Sequence, residues 1–214
     1  MIDSNFIKNS KLSIQNVSRE TLDELNKYGL SIIKKNKEIN LISESTEKSI
    51  NTRHILDSAQ TIDFIDKNDV KVCTDLGSGA GLPGIVLAIL MKPKKPEFKV
   101  IFYEKSYHKS NFLKEISKKF KLNTEINQKN IFEEKDLRTD IIISRAFKPL
   151  PVIFDIASNN FMKFKYIILF LVKSGKEILM ETSKKWNFDY EEKKSLTSDE
   201  SLIVKISNLQ KKNG

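Results

Sequence analysis

The chain has 214 residues, 39% of them hydrophobic and 30% charged, with a formal charge of +9 and a pI of about 9.4. That length suits one substantial α/β domain with a small appendage, and the apolar fraction supports a real core. The longest apolar runs, Ile85–Met91 and Tyr166–Val172, fall far below the ~20 residues that span a bilayer, so no membrane association is expected.

Residues 18–39 read as an amphipathic helix, with Leu22, Leu25, Tyr28, Ile32, Ile33 and Ile39 at helical spacing and Ser18 as N-cap. A second helical region covers about 46–66, with Ile50, Ile55, Ala59, Ile62 and Ile65 on one face. The pattern then changes. Strand-like runs occur at 70–76, 98–104, 139–144 and 166–172, with a weaker one near 124–128 and a last one near 201–207. Helical patterns lie between them at 82–91, 106–120 and 148–161. Such alternation predicts a Rossmann-like α/β fold, a mostly parallel doubly wound sheet carrying an N-terminal helical extension. The expected division is an extension over 1–66, a Rossmann-like domain over 67–209 and a flexible tail over 210–214. The C-terminal 40 or so residues carry the weakest pattern.

The N-terminus, MIDSNFIKNSKLS, lacks the apolar core of a signal peptide, and a cytoplasmic protein is expected. Cys73 is the only cysteine and there are two histidines, so neither an intrachain disulfide nor a metal centre is expected. The basic balance favours nucleic acid or another polyanion, although a chain rich in lysine, asparagine and isoleucine also fits AT-rich coding DNA. Only four of the 37 basic residues are arginine, namely Arg19, Arg53, Arg138 and Arg145. Arginines kept in so lysine-rich a chain mark places where a planar fork is needed.

The most informative stretch is Val70–Gly84, VKVCTDLGSGAGLPG. A strand ends in Asp75, glycines follow at 77, 79 and 81, and Pro83 and Gly84 lead into an apolar helix. Such a turn admits close approach of a ligand to the backbone. Two alignments compete. Gly79, Gly81 and Gly84 satisfy the dinucleotide pattern GxGxxG, with Glu104 at the ribose-binding distance. Alternatively, Asp75 closes the strand and Gly77, Gly79 and Gly81 form the turn, which is the first motif of S-adenosylmethionine methyltransferases. In the dinucleotide motif the first glycine ends the strand and the helix N-terminus faces a pyrophosphate. Here the strand ends at Asp75–Leu76 and Pro83 holds an early helix position. A carboxylate suits the cationic end of adenosylmethionine, and Glu104 would accept from ribose hydroxyls in either case. The second alignment is favoured.

Further segments bear on the choice. NKEINLIS at 36–43, RHILDS at 53–58, DLGSGAGLPGI at 75–85, SRAF at 144–147 and LVKSG at 171–175 occur in this order. Together they resemble the bacterial ribosomal small-subunit methyltransferase G family, also called glucose-inhibited division protein B, across most of residues 20–175. The resemblance implies a class I S-adenosylmethionine-dependent methyltransferase fold and methylation of guanine N7 in a loop of 16S rRNA near the decoding centre. It implies S-adenosylmethionine as cofactor, bound by Asp75, Gly77, Gly79, Gly81, Leu82, Glu104, Ile131, Phe132 and Arg145. It places Arg53, His54, Arg145 and Lys173 towards substrate RNA, with Arg145 as the positioning residue and no catalytic base. His54 and Asp57 are expected to orient their helix, and Asp57 to cap it or pair with Arg53. The partner would be 16S rRNA or a small-subunit particle, and nothing in the sequence demands a dimer. The chain departs from the family pattern in three places. Lys35 replaces a tryptophan, His108-Lys109 replaces a basic pair, and Asn130-Ile131-Phe132 replaces an Arg-Ala-Glu turn. An oxidoreductase using Gly79, Gly81 and Gly84, and a non-catalytic basic RNA-binding protein, are the other classes the sequence leaves open.

Overall fold

A computed structural model describes residues 17–65, 69–172, 174–198 and 200–212. Helix α1 spans Arg19–Asn36. Its N-cap is Ser18, whose hydroxyl accepts from Thr21 N at 3.2 Å. Leu22, Leu25, Tyr28 and Ile32, at helical spacing, form the buried face. Asn36 ends the helix and folds the next residues back upon it. Its Oδ1 accepts from Leu41 N and Ile42 N, and its Nδ2 donates to Ile42 O and Glu47 Oε1.

The second helical region is one continuous segment of changing pitch. A 3-10 turn at Glu44–Ser49 leads into a π-helical stretch at Ile50–Leu56, an α turn at Asp57–Ala59 and a 3-10 turn at Gln60–Phe64. The apolar spacing tracks the pitch. Ile50 to Ile55 is five residues, Ile55 to Ala59 four and Ala59 to Ile62 three, so one buried line is kept as the winding tightens.

Seven strands form the main sheet: β1 Val72–Leu76, β2 Lys99–Tyr103, β3 Thr124–Asn127, β5 Ile141–Ser144, β7 Tyr166–Leu171, β8 Trp186–Lys194 and β9 Leu202–Lys211. Their order is β3-β2-β1-β5-β7-β9-β8, parallel from β3 to β7 and antiparallel at β9 and β8. Short strands β4 Leu137–Arg138 and β6 Phe161–Lys163 pair separately. The linking helices are α2 Gly84–Met91, α3 Tyr107–Lys119, α4 Leu150–Asn160 and α5 Gly175–Ser183.

Side chains of the parallel strands alternate between two cores. Ile141, Ile143 and Ile168 face the core shared with α1, the mixed-pitch segment, α2 and α3, whereas Ile142, Ile167 and Leu169 face α4 and α5. Strand β8 and helix α5 have no counterpart in the sequence reading. Strand β8 is an edge strand whose apolar alternation is only three residues long: Trp186, Phe188 and Tyr190 share one face, Trp186 and Phe188 pack against Phe154, and the charged run Glu191–Lys194 that follows is mostly exposed. Strand β9 runs to Lys211, two residues into the tail expected over 210–214, and Lys212 N still bonds to Lys185 O.

Candidate active site

Strand order reverses direction at β1, between β2 on one side and β5 on the other. At such a switch point the loops leaving the carboxyl ends of the strands part and form a crevice. The crevice here is a cavity of about 670 Å³, within the range of small-molecule sites. The turn after β1, Glu104 and Lys105 after β2, Asn130–Phe132 after β3 and Arg145–Lys148 after β5 all line it.

The glycine turn divides its residues between the cavity and the core. Gly77, Ser78, Gly79, Ala80 and Leu82 face the cavity. Gly79 has φ +55°, and a Cβ there would meet only Gly77 O, at 3.9 Å. Any side chain at 79 would therefore be strained and would project into open space. At Gly77 a Cβ would collide with the Phe147 ring, so the missing side chain lets that ring close on the backbone.

Gly81 and Gly84 point the other way. A Cβ at 81 would strike Ile85 and Leu113, and one at 84 would strike Phe102 and the Asp75 carboxylate. Gly81, expected among the cofactor contacts, turns its missing side chain to the core. Asp75, also expected there, is set back from the cavity lining. It is 1% exposed and lies behind the turn, where its Oδ2 accepts from Gly84 N at 2.9 Å. Burial pushes its carboxyl up to about 7, against the pull of the Gly84 N–H, and the nearby Glu104 charge adds to the rise. The helix N-terminus that a pyrophosphate would need is thus already occupied from inside, which removes the structural basis of the dinucleotide alignment.

Glu104, 8% exposed, faces the cavity with both oxygens anchored. Oε2 accepts from Gly79 N at 2.9 Å and Oε1 from Ser106 N at 2.8 Å. Each carboxylate oxygen keeps further acceptor capacity for a ligand hydroxyl. On the far wall, Ile131 is buried and Phe132 is 45% exposed, both in the 3-10 turn Ile131–Glu133. Asn130 Oδ1 accepts from Phe132 N at 3.4 Å, and Asn160 Nδ2 donates to Ile131 O at 2.8 Å, so side chains from two elements set this turn.

Arg145 lines the cavity but is not free to read a base edge. Nη2 donates to Arg53 O at 2.7 Å, Nη1 to His54 O and Ser58 Oγ, and the guanidinium pairs with Asp57 at 3.3 Å. Its fork is used to hold the RHILDS segment against β5. Asp57 accordingly pairs with Arg145 and not with Arg53. Its Oδ1 also accepts from Ser195 Oγ, Thr197 Oγ1 and Gln60 Nε2, joining the mixed-pitch segment to the loop before β9.

His54 lines the cavity, with Nε2 2.8 Å from Thr46 Oγ1. Burial, reinforced by the Arg145 charge, pushes it down to about 4, so it is neutral at neutral pH. The Arg53 side chain is exposed and forms no part of the cavity lining. Lys173 lies outside the described residues.

Several lining residues have no place in the sequence reading of the site. Leu41, Ile42 and Ser43 reach the cavity because Asn36 folds the chain back after α1, and the NKEINLIS segment was the available signal. Phe147 follows the SRA motif, and its ring centroid lies 6.3 Å from that of Phe132. Lys105, Lys109, Lys129 and Lys148 also line the cavity. Among the described residues, Lys129 pairs with Glu134.

The family model for GidB, rRNA small subunit methyltransferase G, matches residues 21–204. The ribosomal RNA small subunit methyltransferase G of Pelagibacter ubique (strain HTCC1062) is 48% identical over 204 residues, covering 94% of this chain and 95% of that protein. Among solved structures, an Aquifex aeolicus SAM-dependent methyltransferase superposes with a TM-score of 0.55 at 15% identity, over 77% of this chain and 98% of that one. The M. capricolum TrmK complex with S-adenosyl-homocysteine gives 0.51 at 16% identity, over 78% and 69%. At these identities the two structures support the fold.

Proposed function

The chain belongs to the rRNA small subunit methyltransferase G family, and on that premise we propose that it methylates guanine N7 in 16S rRNA using S-adenosylmethionine. The carrying observation is the convergence on one cavity of the Gly77–Gly79 main chain, the anchored Glu104 carboxylate and the Ile131–Phe132 wall.

These residues fit the cofactor. Glu104 would take the ribose hydroxyls, Ile131 and Phe132 the adenine, and the bare backbone at Gly77 and Gly79 the methionyl end. S-adenosylmethionine supplies an electrophilic methyl group on a sulfonium. Guanine N7 is an unprotonated lone pair, so no base is required, and neutral His54 fits that requirement. The work left to the chain is alignment and exclusion of water. Leu41, Ile42 and Phe147 give the cavity apolar walls for the second task.

The substrate must offer its base in accessible, unstacked RNA, as a loop does. The cavity lysines Lys105, Lys109 and Lys148 suit phosphates on either side of that base. We place the reaction in the cytoplasm, on 16S rRNA or a small-subunit particle, with a monomeric enzyme. Among the described residues no helix is long and apolar enough to cross a membrane. The deciding experiment is mass mapping of methylated nucleotides in 16S rRNA from cells with and without this protein. Loss of one 7-methylguanosine on deletion is expected, and an unchanged map would refute the proposal.

A further inference from the structure

The helical extension reaches the glycine turn through one side chain. Tyr28, midway along α1, is 0% exposed, and its hydroxyl donates to the main-chain carbonyl of Ala80 at 2.8 Å across 52 residues of sequence. Ala80 itself is buried and lies between Gly79, which faces the cavity, and Gly81, which faces the core. A Cβ at Gly81 would stand 3.2 Å from the Tyr28 hydroxyl, so the ring and the turn are in contact. Besides main-chain bonds from Gly77 N and Ser78 N to Tyr103 O and from Gly81 N to Ser78 O, three side chains of other residues hold the turn. Glu104 holds Gly79 N from β2, Asp75 holds Gly84 N from β1, and Tyr28 holds Ala80 O from α1.

We propose that Tyr28 is a positioning residue for the S-adenosylmethionine site, fixing residues 79–81 in the conformation the ligand meets and making α1 a working part of that site. The proposal rests on the reading of the cavity as the S-adenosylmethionine site. Glycines at 77, 79 and 81 restrain the chain little by themselves, and the main-chain bonds fix Gly77 N, Ser78 N and Gly81 N, whereas Ala80 O is met by Tyr28. Left loose, it must be ordered when the ligand binds, and that ordering weakens affinity. A buried carbonyl deprived of its donor is also costly, so without the hydroxyl Ala80 would turn towards another partner.

The test compares Tyr28→Phe with Ile32→Val, a packing change at another fully buried position on α1. Two quantities are read: the calorimetric Kd for S-adenosylhomocysteine, and amide hydrogen exchange over residues 77–84 in the ligand-free protein. In Tyr28→Phe we expect affinity to fall about tenfold (~1.4 kcal/mol) and exchange at 79–81 to quicken. Ile32→Val should leave both near wild type even where its thermal stability drops as far. Unchanged exchange or unchanged affinity in Tyr28→Phe overturns the proposal, as does an equal loss in Ile32→Val. If the wild-type chain binds no S-adenosylhomocysteine, the reading of the cavity fails, and exchange at 79–81 alone decides whether Tyr28 fixes the turn.

Discussion

Arg145, just past the end of β5, donates from Nη2 to the main-chain carbonyl of Arg53, 2.7 Å away and 92 residues earlier in the chain. The same guanidinium serves His54 O, Ser58 Oγ and Asp57. A lysine would keep the charge but not the fork. Arg145→Lys should therefore lower stability by about 1–3 kcal/mol in urea unfolding, because buried acceptors lose donors. Methyl transfer should fall with it. A variant of wild-type stability that had lost only RNA turnover would return Arg145 to the substrate.

Gly79→Val should abolish binding of S-adenosylmethionine and leave a folded chain. The new side chain would enter the cavity from a residue at φ +55°, against no neighbour but Gly77 O. Circular dichroism and calorimetry on one preparation check both halves. Undiminished binding would place the ligand elsewhere.

Stability should carry two opposed titrations. Unfolded, His54 titrates near ~6.5; folded, at about 4. Its depressed value means that stability is lost as pH falls from 6.5 towards 4, because the unfolded chain binds the extra proton. Asp75 runs the other way. Its folded value of about 7 exceeds the unfolded ~3.9. Its contribution is present at low pH and is lost as pH rises through 7. Where the windows overlap the two should largely offset. Urea unfolding from pH 4 to 8 should show His54→Asn gaining relative stability in acid, and Asp75→Asn gaining it at and above neutrality. Parallel profiles for wild type and both variants would contradict this.

Single-turnover methyl transfer at saturating RNA should be nearly flat from mildly acidic to mildly alkaline pH, since N7 loses no proton. A base at His54, which burial pushes down to about 4, would leave that range flat as well, so His54→Asn is the discriminating variant. A rate at neutral pH that collapses in His54→Asn while fold and RNA affinity are kept would establish a base after all.

RNA affinity should fall steeply with salt, because phosphate contacts release counterions. Replacing Lys105, Lys109 or Lys148 by alanine should each reduce the slope of log K against log salt by about 0.7, the value for a single-stranded contact. Slopes equal to wild type in all three variants would move the footprint away from the cavity.

Local patterns alone determined much of this protein. Apolar runs and period-3.6 apolar spacing specified the five parallel strands and the helices between them, because strands such as Ile141–Ser144 are buried on both faces and the helices on one, and either pattern is complete within a few residues. The glycines after Asp75 marked the turn, since backbone freedom is a property of the residue itself. The turn's orientation was a matter for tertiary structure. Gly79 faces the cavity while Gly81, Gly84 and Asp75 face the core, a distinction made by Phe102, Leu113 and Tyr28 from other elements. The mixed-pitch segment read as one helix because its five, four and three spacings all pass for helical. Edge strand β8 gave a weak signal, since its alternation stops after Trp186, Phe188 and Tyr190 and the rest of the strand is charged and mostly exposed. Arg145 read as a substrate contact because the motif shows a free fork, whereas folding delivers carbonyls from 91 and 92 residues away to occupy it. Sequence windows carry local preferences; which polar groups meet is decided only when distant elements pack and every buried donor must find an acceptor.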